Sequence, residues 1–371
     1  ITQPSSITIV TNTLTAACNQ SNGAVSATLS GGSAPYTFTW STGATGAGNT
    51  SNLPNMFAGT YTIQVKDVNN CLQTLAATIP NASGPSIAII SQTNVSCFGG
   101  NNGIASSQVT GGTAGPGFPT YNWSNGQNTG LATNLSAGVY TVTATDAAGC
   151  ITSTNVTITQ PSSLTINVSG TNPKCFNALN GSANAGVAGG TGPYSYAWLP
   201  TPGTGANTST PSGMGPGNYN VTVTDSKGCV ISGSVNLANP NPLLTSVTTT
   251  NLSCFNSANG IAVATTTNAV GAVSYVYVGG PTPITTQTAT GLQALSYTLT
   301  ATDQNTCVAT TIFTLSQPAL LTVSISATGS VSCSGGTNGF ATAAPSGGTP
   351  IYNYAWSNGQ AVATSTSLAA G

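Results

Sequence analysis

The sequence has almost no charged side chains. It contains three basic and four acidic residues among 371, with no histidine, and it has neither arginine nor glutamate. A net charge of −1 leaves too few cations to bind nucleic acid phosphates or to form a polybasic membrane patch. We therefore expect no nucleic-acid partner. Near-neutrality favours self-association, so lateral packing of copies is an expected second contact.

Long apolar runs and catalytic residue types are also missing. No stretch approaches the roughly 20 apolar residues that cross a bilayer, so we expect no membrane insertion. The hydrophobic fraction of 39% argues against a disordered chain. Without histidine, glutamate or paired acids, acid–base and nucleophilic chemistry lacks its usual groups. We predict that the chain is not an enzyme and needs no cofactor.

What the sequence does contain is a repeat of about 79 residues, marked by two series of cysteines. The first series is Cys18, Cys97, Cys175, Cys254 and Cys333, and the second is Cys71, Cys150, Cys229 and Cys307. The period predicts the end of a preceding repeat at 1–4, repeats at 5–80, 81–161, 162–240 and 241–318, and a truncated repeat at 319–371. We expect both ends to be cuts through a longer protein.

Each copy is typical of a small β-sandwich. About seven short strands alternate apolar and polar residues, with no helical period. An Asn-Gly pair, such as Asn102-Gly103, predicts a turn after the first cysteine. Junctions such as Gln160-Pro161 are short and semi-stiff. We predict an all-β tandem array of immunoglobulin-like Greek-key domains that forms an elongated rod.

Two sets of aromatic residues recur once per copy and predict the core. One set ends the Tyr-x-Tyr-x-Trp stripe: Trp40, Trp123, Trp198, Tyr277 and Trp356. The other resembles the tyrosine corner of Greek-key sandwiches: Tyr61, Tyr140, Tyr219 and Tyr297. A ring stripe can also serve as a carbohydrate platform. The burial habit of large aromatics favours core packing instead.

The only side-chain carboxylates occupy one equivalent position in each complete copy: Asp67, Asp146, Asp225 and Asp303. Each comes four residues before a cysteine of the second series. A calcium ligand or a catalytic acid is one interpretation, but one carboxylate per copy builds neither a calcium shell nor an acid–base pair. We expect these aspartates to cap the following hairpin turn.

The regular cysteine spacing predicts disulfides and an oxidising compartment. The alternatives are free buried thiols and a metal site, and the lack of histidine and of any CxxC pair argues against metal. We predict one bridge within each repeat, with the partner of Cys333 outside this sequence. The expected pairs are Cys18–Cys71, Cys97–Cys150, Cys175–Cys229 and Cys254–Cys307. Such a loop would contribute about 4 kcal/mol on the chain-entropy model.

The combined pattern closely resembles the SprB-type repeat of very large cell-surface proteins in gliding Bacteroidota. It reads cysteine, Asn-Gly, Gly-Gly, Pro-Tyr-x-Tyr-x-Trp, Gly-x-Tyr and Asp-x-x-Gly-Cys, and copy four lacks several of these pieces. The resemblance implies an adhesin exported by the type IX secretion system, attached to the outer membrane and carried along the cell by the gliding machinery.

Together, these patterns predict the extracellular stalk of a surface adhesin. Its partners would be further copies of the repeat, end to end, and an external surface or polysaccharide bound by regions outside this sequence. The alternatives are an array of glycan- or surface-binding modules and the stalk of a larger secreted enzyme.

Overall fold

The computed structural model describes residues 2–371, and all regular secondary structure in that range is β-strand. Ile1, which belongs to the predicted end of a preceding repeat, lies outside the described residues.

The strands follow one another in five sets, one for each predicted repeat. Repeat 1 contains β1 (Thr8–Leu14), β2 (Ala16–Ala17), β3 (Gly23–Ser30), β4 (Thr37–Trp40), β5 (Thr45–Ala47), β6 (Thr50–Met56), β7 (Gly59–Lys66) and β8 (Leu72–Ile79). The short β9 (Asn81–Ala82) lies just past the predicted boundary and pairs with β2, so we describe it with repeat 1. Repeat 2 contains β10 (Pro85–Thr93), β11 (Gly103–Gly111), β12 (Thr120–Trp123), β13 (Leu131–Leu135), β14 (Gly138–Thr145) and β15 (Ile151–Ile158). Repeat 3 contains β16 (Thr165–Thr171), β17 (Gly181–Ala188), β18 (Ser195–Leu199), β19 (Ser212–Met214), β20 (Gly217–Thr224) and β21 (Val230–Leu237). Repeat 4 contains β22 (Leu244–Thr250), β23 (Gly260–Thr267), β24 (Ser274–Val278), β25 (Thr288–Leu292), β26 (Ser296–Thr302) and β27 (Val308–Thr314), and repeat 5 contains β28 (Thr322–Gly329), β29 (Gly339–Ser346) and β30 (Thr364–Leu368).

Repeats 2, 3 and 4 share one topology. In repeat 2 one sheet has the order β10-β11-β13 and the other β12-β14-β15, and neighbouring strands are antiparallel. Two sheets connected in this way form the Greek-key sandwich of immunoglobulin-like domains, so the predicted fold class is confirmed. These repeats have six main strands rather than about seven, because residues 124–130 cross between the sheets without forming a strand. In repeat 1 the same connection contains β5, which pairs with β4.

Each core is built from the residues of its own repeat. Trp123 packs with Leu135, Val142 and Ile158 in repeat 2, and separate clusters fill repeats 1 and 4. The alternation along β14 buries Val142 and Ala144, as the period of two requires. The stability of a repeat therefore depends mainly on its own apolar contacts.

Residues 2–371 divide into two compact units that do not follow the predicted repeat boundaries. The first comprises Ile1–Thr165, Val187–Ser195 and Thr224–Ile231, and the second comprises Ile166–Gly186, Tyr196–Val223 and Ser232–Gly371. The first unit thus includes two loops of repeat 3, because a disulfide between Cys97 and Cys229 ties that end of repeat 3 to repeat 2. The repeat boundaries themselves stay a prediction.

The first and last strands of a repeat run in the same direction. In repeat 1, β2 pairs in parallel with β9, and the Cys18 amide donates to the carbonyl of Ala82 at 3.3 Å. The first cysteine therefore lies where the last strand ends, which we call the trailing end of the repeat. Cys71 comes just before β8 and lies where the last strand begins, which we call the leading end.

Candidate functional site: the disulfide junction between repeats

The cysteines link neighbouring repeats, so the predicted bridges within repeats are wrong. The structure contains three disulfides between residues 2 and 371, and each spans 132 residues: Cys18–Cys150, Cys97–Cys229 and Cys175–Cys307. Their Cα–Cα distances are 5.3, 5.7 and 5.4 Å, within the usual range for a disulfide. Cys71, Cys254 and Cys333 are unpaired within that range and exposed. The predicted pairs Cys18–Cys71, Cys97–Cys150, Cys175–Cys229 and Cys254–Cys307 are thus replaced by a ladder of cross-repeat bridges.

The physical reason is the length of the last strand. Cys71 lies at the start of the eight-residue β8, while Cys18 contacts the chain just beyond its end. Eight strand residues span about 26 Å, several times the distance that a disulfide bridges. The trailing end of one repeat, by contrast, faces the leading end of the next, because only a few residues separate β8 and β9 from β10.

An asparagine side chain shapes the loop of the first cysteine. The oxygen of the asparagine in the Asn-Gly pair accepts the amide of the residue that precedes this cysteine in all five copies. The bonds are Asn22 to Ala17 (2.8 Å), Asn102 to Ser96 (2.9 Å), Asn180 to Lys174 (2.9 Å), Asn259 to Ser253 (3.3 Å) and Asn338 to Ser332 (3.0 Å). Sequence reasoning interpreted the pair only as a turn and missed this role.

The glycine of the same pair is required for close packing. A Cβ on Gly103 would lie 2.7 Å from the Leu135 carbonyl oxygen and 2.8 Å from Ile158. Gly103 begins β11 and lacks a positive φ, so the pair itself does not form the expected turn. Instead, the glycine lets the second strand pass close to its neighbours.

An aspartate shapes the turn of the second cysteine. In repeat 2, Asp146 Oδ1 accepts the amides of Ala148 (3.0 Å) and Cys150 (2.8 Å), while Oδ2 accepts the amide of Thr113 (2.8 Å). Asp67 and Asp225 make the same three bonds. Asp303 accepts the amides of Cys307 and Val270. The carboxylate therefore joins the predicted turn to the Gly-Gly loop, a second contact that the sequence did not reveal.

These bonds explain the acidity of the aspartates. For Asp146, the amide of Thr113 is the largest influence and lowers the pKa of the carboxyl below its ordinary value, although burial opposes it. For Asp67 and Asp225, burial by itself would raise the pKa, but the several backbone amides together outweigh it and lower the pKa. Hydrogen bonds to the charged form stabilise that form. All four carboxylates are buried.

Further polar contacts tie the cysteine loops to the junctions. The Gly99 amide donates to the Gln160 side chain at 2.7 Å, and Gln160 precedes the junction proline. Gln317 accepts in the same way from Asn256 at 2.8 Å. Across the junction between repeats 4 and 5, the Thr349 hydroxyl donates to the carbonyl of Ser253 at 3.1 Å. The trailing loops of repeats 2 and 4 are thus connected both to their own last strands and to the following repeat.

Two of the junctions enclose a crevice beside the disulfide. One, of about 430 Å³, is lined by Cys97, Phe98, Leu164 and Cys229. The other, of about 230 Å³, is lined by Lys174, Leu243, Asp303 and Cys307. Phe98 is 59% exposed, and Phe176 and Phe255 at the equivalent positions are 48% and 40% exposed. An aromatic ring therefore stands in solvent next to the first cysteine in three copies.

The predicted core aromatics lie as follows. Trp40, Trp123, Trp198 and Tyr277 are buried, and each uses its polar atom to reach a hydroxyl or a backbone carbonyl. Trp356 is half-buried and lines an open cleft of about 580 Å³ beside the sheet of repeat 5. Tyr219 and Tyr297 are buried, and Tyr61 and Tyr140 are half-buried.

The tyrosines of the second set share one hydrogen bond. Each hydroxyl donates to the carbonyl four residues earlier, as in Tyr61 to Phe57 at 2.9 Å and Tyr140 to Ser136 at 3.1 Å. Copy four has the same bond from Tyr297 to Gln293 at 3.3 Å, although it lacks the Gly-x-Tyr motif. This geometry matches a tyrosine corner.

The side chains of residues 2–371 form no cluster suited to a metal ion. That range contains no group of three or more Cys, Asp, Glu or His side chains that could hold one. No helix in the described part of the chain is long and apolar enough to span a membrane.

The family comparison agrees with the geometry of the first half of each copy. The model of the SprB repeat matches residues 11–45, 89–128, 167–203 and 325–361. The chain carries SprB-type repeats. These matches run from the first strand past the first cysteine to the core tryptophan of copies one, two, three and five. Copy four, which has Tyr277 in place of tryptophan, is outside the matched regions.

Several solved structures resemble the chain at low identity. Immunoglobulin domains 1–5 of Sidekick-1 are 13% identical over 93% of this chain and 86% of that chain, with a TM-score of 0.24. A Ca²⁺-stabilised adhesin that helps an Antarctic bacterium bind ice is 12% identical over 85% and 99%, with a TM-score of 0.36. The three N-terminal domains of the outer capsid protein Hoc of bacteriophage RB49 are 13% identical over 84% of this chain and 99% of that chain, with a TM-score of 0.30. No curated protein matches the chain.

Proposed function

We propose that this chain is the non-catalytic stalk region of an extracellular adhesin displayed on the cell surface. The observation that carries the proposal is the series of disulfides between successive SprB-type repeats. Disulfides persist in oxidising, extracytoplasmic environments. A bridge at three of the four junctions supports a role in which neighbouring domains must stay connected while the ends of the chain are pulled.

The family supports a finer proposal. SprB-type repeats imply export by the type IX secretion system, attachment to the outer membrane and transport along the cell by the gliding machinery. Regions outside this sequence would hold the anchor and the adhesive tip. The partners of the chain itself would be other copies of the repeat, end to end and side by side.

The aspartates support a non-catalytic role. A general base needs a carboxylate that can take a proton from a substrate. Asp67, Asp146 and Asp225 instead accept three backbone amides each. Their oxygens hold the turn and loop at the leading end.

A second candidate is an array of surface-binding modules. The observation that favours it is the recurrence of exposed Phe98, Phe176 and Phe255 beside the first cysteine, because exposed rings stack on sugars and other apolar faces. Saturable glycan binding that is lost in the triple Phe→Ala variant would establish this function. Unchanged binding in that variant, or no binding, would remove it.

The test of the stalk proposal is antibody labelling of this repeat on living source cells, followed by video tracking. A strain that lacks the repeat region serves as the control. Label that decorates surface filaments and moves along the cell supports the motility adhesin. Surface label that stays fixed supports a static stalk and refutes the gliding role. Intact cells that show no surface label would refute the proposal.

A further inference from the structure

The cross-repeat disulfides create covalent routes through the chain that are much shorter than the backbone. The relevant pieces are the connecting segments, which run from the second cysteine of one repeat to the first cysteine of the next. They are residues 71–97, 150–175, 229–254 and 307–333. Each follows the last strand of one repeat, the junction and the first strand of the next.

Disulfides and connecting segments alternate to form two separate paths. The first path runs from Cys18 to Cys150 by a bridge, along 150–175, and from Cys175 to Cys307 by a second bridge into 307–333. The second path runs along 71–97, from Cys97 to Cys229 by a bridge, and along 229–254. In repeats 2, 3 and 4, one path follows the first strand and the other follows the last strand.

The connecting segments are already close to full extension. Of the 26 or so residues from Cys71 to Cys97, about 19 already lie in β8, β9 and β10. From Cys307 to Cys333, about 15 of 26 lie in β27 and β28. Strand residues rise about 3.3 Å each, close to the fully extended limit. Pulling on such a segment can lengthen it only slightly.

We infer that these two paths carry tension along the array, so that the strands between the two cysteines of a repeat are shielded from it. In repeat 2 the shielded part is residues 97–150, which contains β11 to β14 and the buried Trp123. Stretching the oxidised chain loads covalent bonds before it can pull a core apart. The inference rests on the covalent connectivity and stands independently of the proposed function.

The connectivity fixes how far the unfolded chain can stretch. The shortest route between its ends has 17 residues before Cys18, 25 from Cys150 to Cys175 and 64 after Cys307, about 106 in all. At roughly 3.4 Å per residue this route extends to about 360 Å, whereas the reduced chain of 371 residues extends to about 1,260 Å. Reduction should therefore lengthen the stretched chain about 3.5-fold.

The experiment is single-molecule stretching of the full chain through tags at its two ends, with and without a reducing agent. The exposed thiols of Cys71, Cys254 and Cys333 are alkylated first, so that no new bridge forms. The contour length at full extension is the readout, and it does not depend on how stable each repeat is. Bridges within repeats would instead leave a route of about 157 residues, or about 530 Å.

Two double variants provide a matched test, since each removes one bridge of the same span. C97S/C229S removes a bridge that is absent from the shortest route, so its length should stay near 360 Å. C18S/C150S cuts the first path, and the shortest route then uses both remaining bridges and becomes about 214 residues, or about 730 Å. Peptide mapping of each variant verifies that the two remaining bridges have formed.

Different lengths would overturn the inference in different ways. An oxidised chain near 530 Å would mean that the bridges lie within repeats. A length near 1,260 Å without reducing agent would mean that no bridge bears load. Equal lengths for the two double variants would contradict the separation into two paths.

Discussion

Tyr277 offers a measure of what the core aromatic contributes to one repeat. It lies on β24 opposite Leu299, is 1% exposed, and packs edge-on against Phe313 at 6.1 Å. Its hydroxyl donates to the Gln287 carbonyl at 2.8 Å. The side chain therefore contributes both buried area and a partner for a backbone oxygen.

The two contributions can be separated with two substitutions. Tyr277→Ala removes a buried ring, and such changes cost about 3–5 kcal/mol. Tyr277→Phe keeps the ring but removes one of the two donors to the Gln287 oxygen, which the Ala264 amide still reaches at 3.0 Å; losing this hydrogen bond should cost about 0.5–1.5 kcal/mol. The control is Val278→Ala on the same strand, because Val278 is 44% exposed and an outward residue should change stability by about 0.5 kcal/mol or less.

The assay is hydrogen exchange followed by mass spectrometry on the intact chain, read at peptides from β24, β26 and β27. It reports the opening free energy of repeat 4 separately from the other repeats. We expect the order wild type and V278A, then Y277F, then Y277A. A V278A cost equal to that of Y277A would refute the inward and outward faces of β24. A Y277F cost near zero would refute the role of the hydroxyl.

The remaining predictions concern the two ends of each repeat. The lowered pKa values of Asp67, Asp146 and Asp225 mean that, as the pH falls, the unfolded chain binds protons before the folded chain does. The free energy of unfolding should therefore be constant from about pH 7 to 5 and fall as the pH drops through about 4 and below. Thermal unfolding measured against pH would show this, and a flat profile down to pH 2 would contradict it. Gly190→Ala places a Cβ 2.7 Å from Asp225 Oδ2 at a φ of +62°, whereas Gly228→Ala meets open space at a φ of +83°. Both substitutions should cost about 1–2 kcal/mol because of the left-handed backbone. Only G190A should also flatten the dependence of stability on acid pH, measured by the same titration. Acidic pepsin digestion without reduction should yield peptides that join Cys18 to Cys150, Cys97 to Cys229 and Cys175 to Cys307; a peptide that joins Cys18 to Cys71 would refute the ladder.

Much of the fold could be predicted because each repeat contains the same local sequence patterns. The short alternating strands that the pattern predicts are present in repeat 2 as β10 to β15. Alternation along β14 predicted which side chains face the core, since the period of two is set by the backbone itself. Aspartate before a hairpin turn is similarly local chemistry.

The cysteine pairing could not be obtained from spacing, because both pairings repeat regularly along the chain. The missing step was the direction of the strands. In repeat 1, which has seven main strands, alternation in direction makes the first and last strands parallel, and β2 with β9 shows this arrangement. The loop after the first strand and the turn before the last strand then lie at opposite ends. The predicted count of about seven strands therefore already argued against the predicted bridges within repeats. The second hydrogen bond of each aspartate, such as Asp146 to Thr113, is also a contact between distant residues that no local pattern records.

A bridge across a junction also alters how the two repeats depend on one another. On the chain-entropy model, closing a loop of 132 residues contributes about 5 kcal/mol, against about 4 kcal/mol for a bridge within one repeat. The loops closed by Cys18–Cys150 and Cys97–Cys229 overlap over residues 97–150, so unfolding of repeat 2 changes the entropy of both. In an ordinary repeat array, coupling comes only from noncovalent contacts between neighbours. With so few charged residues, this chain has almost no ion pairs available at its junctions, and covalent bonds provide the coupling instead.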